Sequence, residues 1–290
     1  MITGLVVNSF GRNFIVEVHD IKYQAITKSK NTDYVVGDYV TLDLINNEQA
    51  QIIDLVPRKN LVFRSDRNRS KIIASNISQI VIVIALKPSF NIYFLNSCLI
   101  FAESENISPV IVINKIDLPD SQDFIDSIEE LYFRQLGYHV ICLSAINDCS
   151  KLTTLFENHR SLLIGQSGVG KSTITNQVIP DAMTQTNNIT KAETSGKHTT
   201  TNATLYHINR HSDLIDCPGL HEFGLYHLQL EKLAYFFPEC HNLIGKCRFR
   251  NCIHLNEPEC AIINAYIKGT INKHRFDFLQ NLTIKLQNKN

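Results

Sequence analysis

The chain lacks net charge, long apolar runs and internal repeats, and each absence narrows what it can be. Over 290 residues, 28 Lys and Arg are balanced by 28 Asp and Glu. Indiscriminate coating of nucleic acid is therefore excluded, and any contact with a polyanion must come from local patches. The longest unbroken apolar stretch, residues 80–86, is far short of the ~20 residues of a transmembrane helix. No charged start followed by an apolar core resembles a secretory signal after Met1. These absences predict a soluble, cytoplasmic protein with no membrane partner. Low-complexity tails are missing too, and 44% hydrophobic against 19% charged residues is a globular composition. At about 100–200 residues per domain, the length predicts two or three domains.

Eight cysteines are present, but the chain is not the short, loop-rich kind that disulfides staple. Cys98 and Cys142 sit in apolar runs and read as buried thiols. Cys247, Cys252 and Cys260 cluster late in the chain, which in a cytosolic protein points to metal before disulfide.

Three regions follow one another. Residues 5–7, 14–18, 23–26, 39–44 and 50–56 read as short alternating strands separated by glycine-marked turns. Five such strands predict a small closed β-barrel, with the OB-fold the commonest form. Residues 58–71 are basic: Arg58, Lys59, Arg64, Arg67, Arg69 and Lys71 face only Asp66. This stretch reads either as a solvated interdomain linker or as a phosphate-contacting strip. From residue 78, apolar strands at 79–86, 110–113, 139–143 and 161–164 alternate with helix-compatible stretches at 90–105, 123–135 and 152–157. Such alternation predicts a parallel α/β sheet. Beyond Gly219 the chain reads as mostly helical around the cysteine cluster, with amphipathic candidates at 225–236 and 271–286.

The strongest chemical signal is Gly165, Gln166, Ser167, Gly168, Val169, Gly170, Lys171 and Ser172, followed by Thr173. It matches the phosphate loop GxxxxGK[ST] and lies between a predicted strand and a helix start. Its glycines let successive N–H groups turn toward phosphate oxygens. Lys171 adds a charge at the β/γ-phosphates, and the Ser172 hydroxyl can ligate Mg²⁺. Asn114, Lys115 and Asp117 form NKxD at the end of a buried strand. A carboxylate there accepts two hydrogen bonds from guanine N1–H and the 2-amino group. Adenine would leave it unpaired, which is a strong basis for discrimination. Asp216 and Gly219 supply DxxG: Asp216 can hold Mg²⁺ through water, and the Gly219 N–H can sense a γ-phosphate. Ser144 and Ala145 fit a guanine-contacting turn by position. Residues 193–201 offer His198, Thr199, Thr200 and Thr201, with Thr200 the candidate to complete Mg²⁺ coordination.

The motif order carries further information. NKxD (114–117) and SA (144–145) precede the phosphate loop, the switch threonine and DxxG (216–219), whereas ordinary GTPases carry them last. Joining the old termini and reopening the chain after DxxG builds the same sheet. With a β-rich segment before it, GKHTTT at 196–201 and a Cys/His cluster after it, the chain resembles the circularly permuted GTPases of the ribosome small-subunit-dependent GTPase A family. The resemblance covers essentially the whole chain. It implies an OB-fold barrel at 1–68, a permuted GTPase domain at 69–222 and a mostly helical zinc domain at 223–290. It also implies binding of GTP and GDP, action on the small ribosomal subunit and its rRNA in late maturation, and a monomer.

Cys247, Cys252, His254 and Cys260 offer three thiolates and one imidazole, a tetrahedral zinc set whose four protein ligands would make the site structural. Cys240 and His241 are rival ligands. The resemblance favours the first set. Lys268, Lys273, Arg275, Lys285 and Lys289 face only Asp277 after residue 261, and with Lys246, Arg248 and Arg250 they predict an RNA-facing surface or a solvated helix face. Leu220 occupies the position after DxxG where many GTPases carry a water-orienting glutamine. His198 is the candidate in its place, and slow intrinsic hydrolysis stimulated by the subunit is expected. Two rivals are a module whose nucleotide never turns over and a small-molecule phosphotransferase; NKxD argues against the second.

Overall fold

A computed structural model describes residues 2–11, 13–27, 34–65, 70–148, 150–179, 203–217 and 223–288. The first 55 residues form five strands: β1 (Ile2–Phe10), β2 (Asn13–Val18), β3 (Ile21–Thr27), β4 (Tyr39–Leu44) and β5 (Gln49–Leu55). β1 pairs with both β2 and β4, while β5 joins β3 to β4. The ribbon thus closes on itself and leaves no unpaired edge. Alternate residues point inward, so Val6, Phe14, Val16, Val40, Leu42 and Ile52 make a compact core of their own.

The basic stretch 58–71 is not a plain linker. It runs into an antiparallel hairpin of β6 (Leu61–Ser65) and β7 (Ser70–Ser75), whose Val62 and Ala74 are fully buried. Arg58 is turned inward as well. Its guanidinium meets both oxygens of the buried Asp38 at 2.7 Å, and Ser75 Oγ donates to the same carboxylate. A buried carboxylate needs such partners, and Asp38, neutralised by Arg58, fastens the start of β4 to the hairpin through Ser75.

The central sheet contains β8 (Gln79–Ile84), β9 (Ser108–Ile113), β10 (His139–Cys142), β11 (Arg160–Gly165), β12 (Thr204–Asn209) and β13 (Ser212–Asp216). Their order is β10-β9-β8-β11-β13-β12, with the first five parallel and β12 antiparallel to β13. The expected parallel sheet therefore gains an antiparallel edge strand. That edge pairs with barrel strand β1 at Asn8 and Thr204, making one continuous sheet of eleven strands.

Strand parity assigns the apolar runs to two cores. Ile80, Ile82 and Ile84 face α1 (Ile92–Ser104) and α2 (Ser121–Ile128), which continues as a π-helical stretch over Glu129–Gln135. Val81 and Val83 face α3 (Ser150–Phe156) and α4 (Lys171–Val178).

The C-terminal part is helical but less regular than its apolar periodicity predicts. The expected helix at 225–236 is realised only as a 3-10 helix over Leu230–Phe236, followed by a second over Pro238–Leu243. Two α-helices follow, α5 (Ala261–Ile267) and α6 (Lys273–Gln287). α6 places Arg275 inside the protein, contrary to its expected place on a basic surface. Its side chain is fully buried, forms a bidentate pair with Glu239 (2.7 and 3.2 Å), donates to Asn96 Oδ1 at 3.0 Å and lies over the Phe237 ring. Asn96 belongs to α1, so this network fastens the C-terminal helices to the central domain. Among the described cations on that surface, Lys273 pairs with Asp277, Arg248 with Glu259, and Lys285 donates to Tyr93 Oη.

Candidate functional site

The C-terminal ends of β8, β9, β10, β11 and β13 open onto one side of the sheet, where parallel α/β folds bind ligands. β11 delivers Gly165–Thr173 to this side, and α4 begins at Lys171. The loop needs its glycines for space. A Cβ on Gly165 would lie 2.4 Å from Val83 O, and one on Gly170, at φ +102°, would lie 2.3 Å from Asn114 Nδ2. Lys171 Nζ donates to the loop's own Gly165 O (2.6 Å) and Gln166 O (2.9 Å). Burial lowers the Lys171 pKa, with Asp216 opposing; burial raises that of Asp216, with Lys171 opposing. Each charge is thus incompletely compensated by the other, as suits a site for a polyphosphate and a divalent cation.

Asn114 joins three motifs that are remote in sequence. Its Nδ2 donates to Val169 O of the phosphate loop at 2.9 Å, and its Oδ1 accepts from Ala145 N at 3.0 Å. Lys115, at φ +63°, donates to Gly168 O at 2.6 Å and to Lys87 O at 3.2 Å. Asp117 stands exposed beyond them. Ser144 Oγ is buried and has no hydrogen-bond partner among the described residues. His198, Thr200 and Gly219, together with Thr199, Thr201, Leu220 and His221, lie outside the described residues.

A second cluster is formed by Cys247, Cys252, His254 and Cys260, whose ligand atoms all lie within 4.8 Å of one another. Cys247 Sγ and Cys260 Sγ are 3.8 Å apart, and His254 Nδ1 lies 3.3–3.7 Å from the three sulfurs. A tetrahedral zinc with Zn–S near 2.3 Å requires sulfur separations of about 3.8 Å, so this donor set fits that ion. Backbone N–H groups of Ala261 and Ile263 donate to Cys247 and Cys260 sulfurs, stabilising thiolates. His254 adopts φ +64°, and the Glu257 carboxylate accepts from the N–H groups of Ile253, Leu255 and Asn256 to hold that turn. The rivals lie outside the cluster: Cys240 is buried apart from it, and His241 Nε2 is 2.8 Å from Tyr235 O.

One polar group of residues escaped the sequence reading. His207 lies between Glu17 Oε1 of the barrel (2.8 Å) and Asp213 Oδ1 (2.7 Å), and Arg160 binds the other Asp213 oxygen at 2.9 Å. Arg160 also reaches Gly37 O and Tyr39 Oη of the barrel. The hydrogen bond to Asp213 raises the His207 pKa, burial opposes, and Glu17 adds to the rise. Burial would raise Asp213, but His207 and Arg160 outweigh it and lower its pKa. No local sequence signal marks these residues, because Glu17, Arg160, His207 and Asp213 come from separate strands and meet only where the barrel joins the sheet.

Comparison with known proteins agrees with this geometry. The RsgA GTPase family model matches residues 55–226. The small ribosomal subunit biogenesis GTPase RsgA of Neisseria gonorrhoeae (strain NCCP11945) is 40% identical over 98% of this chain and 92% of its own. Its namesake from Nitrosospira multiformis is 40% identical over 98% and 90%. The crystal structure of YjeQ from Thermotoga maritima superposes with a TM-score of 0.77 at 25% identity, covering 99% of this chain and 98% of that one. YloQ, described as a circularly permuted GTPase, gives 0.74 at 26% identity, covering 100% and 96%.

Proposed function

The chain belongs to the RsgA GTPase family and is a GTP-hydrolysing enzyme of small ribosomal subunit biogenesis, and we propose that its turnover is slow alone and stimulated by the subunit. The observation that carries the site assignment is Asn114, whose two amide hydrogen bonds tie the phosphate loop to the Ser144–Ala145 turn beside Asp117. In this reading, N–H groups of 165–173 hold the phosphates, and Lys171 exchanges Gly165 O and Gln166 O for phosphate oxygens. Asp117 pairs with guanine, with Ser144 and Ala145 beside the base. Ser172, Thr200 and Asp216 would hold Mg²⁺, which would supply neutralisation of the charge that develops on the phosphates. Gly219 N–H contacts the γ-phosphate, and His198 orients the attacking water.

Zinc, held by Cys247, Cys252, His254 and Cys260, supports the C-terminal domain without joining the reaction. We assign domains to 1–68, 69–222 and 223–290, and contact with rRNA to the barrel and C-terminal surface. Lys246, Arg250 and Lys268 are exposed and carry no ion pair among the described residues, so they are the favoured phosphate contacts. The protein acts as a cytoplasmic monomer.

The test is nucleotide binding by Asp117→Ala. Loss of charge-assisted hydrogen bonds to guanine, at about 1.5–3 kcal/mol each, predicts that GDP affinity falls at least 10²-fold while weak ADP binding stays unchanged. Equal loss for both nucleotides would overturn the guanine assignment.

A further inference from the structure

Barrel strand β1 contains a bulge between Val6 and Asn8. Val6 lies in the barrel core and Val7 in the core shared with the central domain, and the bulge turns Asn8, which strict alternation would point into the barrel, to the outer face opposite Thr204. Bulges often re-aim a side chain in this way beside active sites. Asn8 is 5% exposed, and its Nδ2 donates to Thr204 Oγ1 at 3.0 Å. On its other side Thr204 is registered with Asp216. Asn8, Thr204 and Asp216 therefore form one row across three strands, with Thr204 opening the strand that follows the segment bearing His198 and Thr200.

A second contact holds the same strand to the barrel further along, where His207 bridges Glu17 and Asp213. With β12 tied at two points, the barrel is fastened to the strand that pairs with the carrier of Asp216.

We propose that Asn8 is a positioning residue for GTP hydrolysis, fixing through Thr204 the start of β12 beside Asp216. It touches no substrate and acts only by holding Thr204. The proposal rests on the preceding assignment of Asp216 to the hydrolytic site. It makes the barrel part of that site's scaffold, besides its proposed contact with RNA.

The test uses the full chain in single-turnover GTP hydrolysis with Mg²⁺, alongside GDP affinity. Asn8→Ala and Thr204→Val are each expected to slow hydrolysis about tenfold, the scale of one positioning hydrogen bond, with GDP affinity within about twofold of wild type. Thr204→Ser, which keeps the hydroxyl, restores the rate. The double variant is slowed about tenfold and not a hundredfold, because both changes remove one interaction. Thr204→Val preserves shape and β propensity, so it carries the test if Asn8→Ala folds poorly. A wild-type rate for Thr204→Val, a hundredfold loss in the double variant, or equal losses of rate and GDP affinity would each overturn the proposal. Absence of turnover in the wild-type chain would overturn the hydrolytic reading itself, and this proposal with it.

Discussion

Replacing Arg275 with methionine removes the central group of the joint between the C-terminal helices and the central domain. The side chain is fully buried and its partner Glu239 is 7% exposed. Arg275→Met therefore leaves a carboxylate in the interior without its counter-ion. It also removes the hydrogen bond to Asn96 and the contact 4.8 Å above the Phe237 ring. Breaking a buried pair by removing one partner costs about 3–5 kcal/mol. At about 2–4 °C per kcal/mol for a domain of this size, thermal unfolding should fall by about 6–20 °C. Most of the cost lies in the stranded charge, so Arg275→Met combined with Glu239→Gln should recover at least half of the loss. Scanning calorimetry of the three proteins measures this directly. A melting temperature for Arg275→Met within about 2 °C of wild type would refute the reasoning, and so would a double variant no more stable than the single one.

Metal analysis of the purified chain should find one zinc per protein, lost in Cys252→Ser and retained in Cys240→Ser, because Cys240 lies outside the ligand cluster. Gly170→Ala forces a Cβ against Asn114 Nδ2 at a positive φ; backbone strain of about 1–3 kcal/mol should weaken GDP binding by tenfold or more, read by fluorescent-nucleotide titration. His207, faced by Glu17, Asp213 and Arg160 through their shared network, has a raised folded-state pKa. Its charged contribution is fully present below the ordinary histidine pKa and is lost as pH rises through the raised value. Its side chain is 40% exposed, so the effect is under about 1 kcal/mol. The stability gap between wild type and His207→Gln in urea unfolding should shrink from pH 6 to pH 9, and a gap that widens with pH would contradict the assignment.

The barrel strands were legible because one face of each is buried, which produces period-two alternation such as Phe14, Val16 and Val18. The parallel strands were legible for the opposite reason: with both faces covered, residues 80–84 are apolar throughout. β12 escaped because it lies between barrel and sheet, burying Leu205 and Tyr206 while exposing His207. Hairpin β6–β7 was hidden by its basic residues, whose charge reads as solvated linker. Arg58 and Arg275 were read as surface for the same reason, since nothing local announces the distant Asp38 and Glu239 that bury them. The nucleotide motifs were legible because phosphate and guanine chemistry constrain residue type at fixed spacing. Asn114's link from Val169 to Ala145 needed three dimensions.

The most direct measurement of the central claim is GTP turnover with and without purified small ribosomal subunits, with ATP as the control nucleotide. Slow turnover of GTP alone, strongly raised by the subunit, with ATP inert in both conditions, is the predicted result. Equal turnover of GTP and ATP, or GTP turnover indifferent to the subunit, would contradict the proposal of a subunit-stimulated, guanine-specific GTPase.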